Sequence, residues 1–334
     1  MLLSIVIPMY NAEKYIACCL DSVLSQDLPS EDYEIIVAND GSRDKSPEIV
    51  ENYIKEHSNI ILHNQSNQGN GAARNAGAAL ARGKYLYFLD SDDYIAANVL
   101  GGLTEILEKE QLDILGFKSE VTSSSDLKQS ANFHERTEDL HVLDGVSFVS
   151  DTNYRAEVWW YITRREHMLK TGLSFYDRKF VQDSYYTPTL FLDAKKVAMI
   201  PADIHRYRQT ADSITHKRSP EHIKRHMLDL SYAVEKLSGL IARLSHNGAV
   251  KRLRNRQHGY AFFFLVRFPK SDMGFGELRK TLKKFRSMGA YPITEFVGKD
   301  YQGLRYKILV FIFNRSYLLF PFLFIYKTFY RLLK

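Results

Sequence analysis

Cysteine is almost absent from this chain. Its 334 residues include two, Cys18 and Cys19. Neighbours in sequence cannot bridge without strain, so a disulfide framework is excluded and a reducing compartment is the default. Long apolar runs are missing too. A membrane-spanning helix needs about 20 apolar residues. The two richest stretches, 308–313 and 317–326, are separated by Asn314-Arg315, and the second carries Pro321. The apolar run at 2–8 has no basic lead-in and stops at Pro8, so no signal peptide is expected. The histidines show no metal-ligand spacing, no internal repeat is visible, and the Gly-Lys-Ser/Thr end of a Walker loop does not occur. Acid is lacking at one end: residues 305–334 hold Arg305, Lys307, Arg315, Lys327, Arg331 and Lys334 and no Asp or Glu.

What is there is a globular composition, 45% hydrophobic and 25% charged. The length suits two domains, or one domain with an extension. The net charge of +6 conceals an asymmetry. Residues 1–216 carry 21 Lys+Arg against 32 Asp+Glu, a balance of −11, whereas 217–334 carry 24 against 7, a balance of +17. The basic part could face nucleic acid, anionic lipid or an anionic ligand.

The first hundred residues alternate short apolar runs with helical spacing. Strands are predicted at 3–8, 34–38, 60–63 and 84–89, and helices at 13–25, 44–57 and 71–81. Such alternation implies a parallel sheet covered on both faces. Residues 121–140 are polar and Ser-rich, read as a loop or exposed hairpin. Helices are expected at 156–170 and 183–192, strands at 197–200 and 204–207, and basic helices at 221–245, 249–267 and 275–288.

In an open α/β sheet, ligands bind beyond the carboxyl ends of the strands. Asn39-Asp40-Gly41-Ser42 follows the second predicted strand and Asp90-Ser91-Asp92-Asp93 the fourth, so both face one edge. Asp90 and Asp92 there offer two oxygen ligands to a hard divalent cation that also holds phosphate oxygens. Asp93 alone reads as a helix N-cap. The stretch Asn67-Gln68-Gly69-Asn70-Gly71-Ala72-Ala73-Arg74-Asn75-Ala76-Gly77 is a Gly-rich turn into a small-residue helix, and Arg74 on it could reach a phosphate.

Four blocks in order resemble the family 2 glycosyltransferases of GT-A fold: Ser4-Ile5-Val6-Ile7-Pro8-Met9-Tyr10-Asn11, then Asn39-Asp40-Gly41-Ser42-Arg43-Asp44, then 71–77, then 87–93. Asn39 stands where the family usually has Asp. The resemblance implies a GT-A-like α/β/α sandwich with a mostly parallel sheet, followed by a basic helical extension. It also implies that Pro8, Tyr10 and Asn11 line a nucleobase pocket and that Asp40 accepts the uracil imide proton. Arg74 would help to hold the nucleotide, Asp90 would sit by ribose and metal with Ser91 beside it, and Asp92 would bind Mn²⁺ or Mg²⁺. Gln182-Asp183 matches the pair that supplies the family's general base, with Gln182 where Glu is common. Trp159, Trp160, Arg208 and His216 are candidate acceptor or diphosphate contacts, core packing being the competing role for the tryptophans.

The implied activity is inverting transfer from a UDP-sugar to a saccharide, lipid-linked or at the cell surface. The expected organisation is a catalytic domain at 1–216, with the donor side at 1–100 and the acceptor side at 101–216. A basic helical extension follows at 217–304 and a tail at 305–334. The aromatic, basic tail suits an anionic membrane surface, which gives a cytoplasmic protein peripheral on the inner face of the membrane. The C-terminal region also offers a surface for self-association. A nucleotidyltransferase would carry a Gly-rich, Lys-bearing loop after the first strand, where Met9-Tyr10-Asn11-Ala12-Glu13 stands instead. Nucleic acid is not expected as the partner, because the strand ends are acidic.

Overall fold

The computed structural model describes residues 1–125, 133, 140–175, 181–209, 219–294 and 303–332. The first compact unit comprises 1–148, 153–179 and 186–213. It is built on strands β1 (Leu3–Met9), β2 (Tyr33–Asn39), β3 (Ile60–Asn64), β4 (Tyr85–Phe88), β5 (Tyr94–Ile95), β6 (Ile114–Thr122), β7 (Tyr161–Arg164) and β8 (Val197–Arg208). The sheet order is β3-β2-β1-β4-β7-β6-β8-β5. The first four strands are mutually parallel. β7 is antiparallel to β4 and β6, β8 is parallel to β6, and β5 is antiparallel to β8, so the sheet is mixed.

Every residue of β1, β2 and β4 is buried, as expected of strands covered on both faces. Helices α1 (Ile16–Leu24), α2 (Ser46–Glu56) and α3 (Asn70–Leu80) connect them. α3 is made of small residues because it lies close on β1. A Cβ at Gly77 would come within 2.4 Å of Val6 Cγ1, which explains a glycine in a helix interior.

Two expectations fail in the middle of the chain. Residues 156–170 do not form one helix. The aromatic and β-branched run Trp159–Ile162 leads into β7, which pairs with β4 and β6, and only Arg165–Thr171 is helical, α6. The two strands expected at 197–207 are one strand, β8, with Pro201 inside it. Its pairing with β6 shifts register at Gly116, Lys118 and Ser119, the kind of irregularity that lets a residue without an N–H sit in a ladder. α4 (Leu100–Glu110), β6 and α5 (Gly145–Asp151) carried no prediction.

The second unit comprises 149–152, 180–185 and 214–334, so it takes two short segments from before residue 216. Its described helices are α8 (Pro220–Ala242), α9 (Asn247–Arg267) and α10 (Phe275–Ser287), close to the expected boundaries, and α11 (Leu304–Phe313) and α12 (Ser316–Leu332), which carried no helix prediction; α7 (Asp183–Leu192) begins in it and continues in the first unit. Its core joins Met227 and Val234 of α8, Phe262 and Phe264 of α9, Phe285 of α10, Phe313 of α11 and Leu319 and Leu323 of α12. The tail is therefore part of this helical unit. No single described helix is long and apolar enough to cross a membrane; α11 and α12 pass by length and composition only as a pair, bent by 111°. Asn314 holds that elbow, with Oδ1 accepting the Ile293 N–H and Nδ2 donating to the Ile293 carbonyl, both at 2.8 Å.

Candidate active site

β2, β1 and β4 are neighbours, so the residues just past their ends share one edge of the sheet. Tyr10 and Asn11 follow β1, Asp40 to Ser42 follow β2, and Asp90 to Asp93 follow β4. The first two turns are knitted together. Asn11 donates its N–H to Ser42 Oγ at 3.0 Å and accepts the Arg43 N–H on Oδ1 at 2.8 Å. The Ala12 N–H donates to Ser46 Oγ and the Glu13 N–H to Asp44 Oδ2. Asn11 takes φ 51° and Gly41 φ 72°, left-handed values that Asn and Gly adopt at least cost. Asn39 accepts the Ser42 N–H and donates to Asn64; its amide can do both, which a carboxylate could not. Pro8 is buried under this floor, and Tyr10 stands out from it, 46% exposed.

Asp40 is buried and does more than line a pocket. Oδ1 accepts from Gln65 Nε2 and from the Gln68 N–H, both at 2.8 Å, and Oδ2 accepts the Gly69 N–H at 2.7 Å. The carboxylate thus shapes the Gly-rich turn that starts α3. Among the described residues, Oδ1 has two donors and Oδ2 one, which leaves one lone-pair direction on Oδ2 without a protein donor.

The third turn concentrates negative charge. Arg74 reaches across from α3, and its Nη2 pairs with Asp90 Oδ1 at 2.6 Å. Burial pushes the Asp92 carboxyl up to about 7, with the charges of Asp93 and Asp90 adding. Asp93 is also pushed well up by burial and by Asp90. No helix starts at Asp93, so the N-cap expectation is corrected. Its Oδ1 instead accepts the Arg208 N–H at 2.8 Å, and its Oδ2 lies 2.9 Å from His205 Nε2. His205 Nδ1 is 2.9 Å from the Tyr87 hydroxyl, and burial lowers the imidazole to about 3, so it is neutral. This inner triad ties β4, β5 and β8 together behind the half-buried Asp90 and Asp92. The sequence held its residue types but no spacing that links positions 87, 93 and 205.

Arg208, at the end of β8, is brought to the same edge. Its guanidinium lies over the rings of Tyr15 and Tyr94, 5.3 and 5.2 Å from their centroids, and Nη2 donates to Cys18 Sγ at 3.1 Å. Its charge acts on Asp92, drawing that carboxyl down against the larger effect of burial. Both cysteines are free thiols. The tryptophans separate. Trp160 is 1% exposed and packs on Phe191 and Tyr161, so it is a core residue and offers a ligand no surface. Trp159 is also buried, stacked on His205 at 4.3 Å and on Tyr207 at 5.6 Å, with Arg155 over its ring. It supports the inner triad. Asp183 is the first residue of α7 and is half-buried; Gln182 before it is buried, its Oε1 without a partner among the described residues. His216 lies outside the described residues.

Asp90 and Asp92 fit a hard divalent cation. Both are oxygen donors, and burial first, then the charges of Asp93 and Asp90, disfavour the Asp92 carboxylate, a cost that a bound cation would offset. No group of three or more His, Cys, Asp or Glu among the described residues could hold a metal, so a cation here needs ligand oxygens from elsewhere.

A sheet-edge carboxylate cluster beside a knitted double turn occurs in more than one nucleotide-handling fold. The sequence decides between them: the glycosyl transferase family 2 model matches residues 4–174. The chain belongs to glycosyl transferase family 2. It is 35% identical over 218 residues to the uncharacterized glycosyltransferase EpsJ of Bacillus subtilis, covering 64% of this chain and 63% of that one. It is 32% identical over 209 residues to a poly(ribitol-phosphate) beta-glucosyltransferase of Bacillus spizizenii, covering 62% of this chain and 32% of that one. The match thus spans less than two thirds of either relative's length. Among solved structures, S. aureus TarS 1-349 in complex with UDP superposes with a TM-score of 0.69 at 20% identity, covering 100% of this chain and 92% of that one. At that identity the likeness establishes the GT-A-type fold with its helical C-terminal region.

Proposed function

We propose that this family 2 chain is an inverting glycosyltransferase that moves a sugar from a UDP-sugar to a hydroxyl of a cell-surface polymer. The observation that carries this reading is the convergence of Tyr10, Asp40, Arg74, Asp90 and Asp92 on one sheet edge. An aromatic face and a buried carboxylate with one open acceptor site suit a uracil ring. The carboxylates beyond β4 suit a diphosphate only with a cation between. Mn²⁺ or Mg²⁺, held by Asp92 and Asp90 together with diphosphate oxygens, would stabilise the charge that develops as the nucleoside diphosphate leaves. The similarity to a poly(ribitol-phosphate) beta-glucosyltransferase supports a polymer acceptor.

In this reading Asp183 is the general base. It takes the proton of the acceptor hydroxyl as that oxygen bonds to the anomeric carbon, and the carbon–oxygen bond to the diphosphate breaks from the opposite side. Arg74 orients the turn through Asp90, and Arg208 offers a second cation to the diphosphate. The test is a screen of UDP- and GDP-sugars for thermal stabilisation and UDP release, with Mn²⁺ and with chelator. UDP-sugars should stabilise the protein only with metal. Asp183→Asn should keep that stabilisation and lose roughly 10²–10⁴-fold in turnover. Stabilisation unaffected by chelator removes the cation from the reading, and undiminished turnover in Asp183→Asn moves the base elsewhere.

A further inference from the structure

The helical unit buries one face of each tail helix and leaves the other bare. On α12, Leu319, Leu323 and Lys327 point inward at successive turns. Lys327 is 6% exposed, and its ammonium donates to the carbonyls of Ser271 at 2.6 Å, Met273 at 2.9 Å and Phe268 at 3.4 Å. This basic residue is thus a structural pin, withdrawn from any partner, and it fixes the rotation of α12. The opposite stripe carries Tyr317, Phe324, Ile325, Phe329 and Leu332, all exposed, Phe324 at 61%. α11 repeats the pattern, with Phe313 buried and Leu304, Ile308 and Phe311 exposed at i, i+4 and i+7. An apolar surface of this extent marks a docking site.

The charges around it choose the occupant. Arg305, Lys307 and Arg331 are exposed, and Arg315 lies against the Phe311 ring at 3.6 Å, donating to the Phe311 carbonyl. No acid occurs from 305 to 334. A second copy docking by the same face would set these cations against their own kind, since a two-fold interface meets itself. An anionic lipid surface neutralises them and accepts Phe and Tyr at headgroup depth, where aromatic rings with basic neighbours reside. We propose that the outer face of α11 and α12 docks this protein on an anionic membrane surface, lying in the interface without crossing it. The 111° elbow held by Asn314 and Ile293 prevents the pair from forming one straight span. This inference does not rest on the glycosyl-transfer reading.

The experiment is flotation of the full chain with vesicles of phosphatidylglycerol and phosphatidylcholine in equal parts, and with phosphatidylcholine alone. Binding should require the anionic lipid and weaken with salt. Arg305→Gln with Lys307→Gln should reduce partitioning by roughly 25-fold, about fivefold for each surface cation. Phe324→Ser with Phe329→Ser should abolish flotation while the melting temperature falls by only a few degrees, because both rings are more than half exposed and only Phe324 touches a described ring, that of Phe275 at 6.3 Å. Equal flotation on neutral vesicles, or none on anionic ones, overturns the proposal. So does light scattering that finds a dimer dispersed by the Phe324→Ser, Phe329→Ser pair in a protein that does not float.

Discussion

Replacing Asp92 with Asn tests the site through its proton. The Asp92 carboxyl sits near 7 because burial and two neighbouring carboxylates disfavour its charge. A cation that uses Asp92 competes with that proton. With a midpoint of about 7, the side chain is about 9% ionised at pH 6 and about 91% at pH 8. Cation-dependent UDP affinity should therefore fall about tenfold from pH 8 to pH 6 through this group alone. The nucleotide's own phosphate titrates too, but equally in both proteins, so the wild-type to Asp92→Asn affinity ratio isolates Asp92. Calorimetric titration of UDP with Mn²⁺ at the two pH values gives that ratio. A ratio independent of pH, or one larger at pH 6, would refute the reasoning. The same shift has a second signature. A carboxyl raised in the folded state binds its proton more tightly there than in the unfolded chain, so its contribution to stability falls as pH rises from about 4 towards 7. Excess cation should remove that loss.

Two further substitutions probe the scaffold. Asp40→Asn turns an all-acceptor group into one with a donor face, so either amide orientation sets N–H against the backbone of Gln68 or Gly69. The cost should be about 1–3 kcal/mol, read as faster amide exchange at 65–70, and unchanged exchange there removes Asp40 as the anchor of the turn. Lys327→Met withdraws the ammonium from the Ser271 and Met273 carbonyls and should cost about 2–4 kcal/mol by the same asymmetry. A thermal midpoint within a degree of wild type shows that the pin is dispensable.

The parallel half of the sheet was legible because β1, β2 and β4 are buried on both faces and read as short, mostly apolar runs, and the half-buried β3 still opens on Ile60-Ile61-Leu62. The motif carboxylates were legible because strand ends fix where a ligand edge lies. β7 was not, since a four-residue strand among aromatic residues has no periodicity to set it apart from a helix turn. Nor was the division of labour among neighbours. Asp90, Asp92 and Asp93 look alike in sequence, yet Arg74 takes the first, the second remains open at the edge, and His205 takes the third from more than a hundred positions away. The tail's basic residues looked equivalent as well, until packing turned Lys327 inward and left Arg305, Lys307 and Arg331 outside.

The strand order also sets an order of assembly. β3, β2, β1 and β4 all lie within the first 88 residues and pair only with one another and with β7. They form a local unit whose loops are short, so its closure entropy is small. The other half is interleaved: β5 leaves early but finds its partner only when β8 arrives at 197–208. During synthesis β1 to β4 can pair while the strand carrying His205 and Arg208 has yet to emerge. Until then Asp93 has neither of its partners, and a buried carboxylate without them opposes premature closure of the turn that holds Asp90 and Asp92.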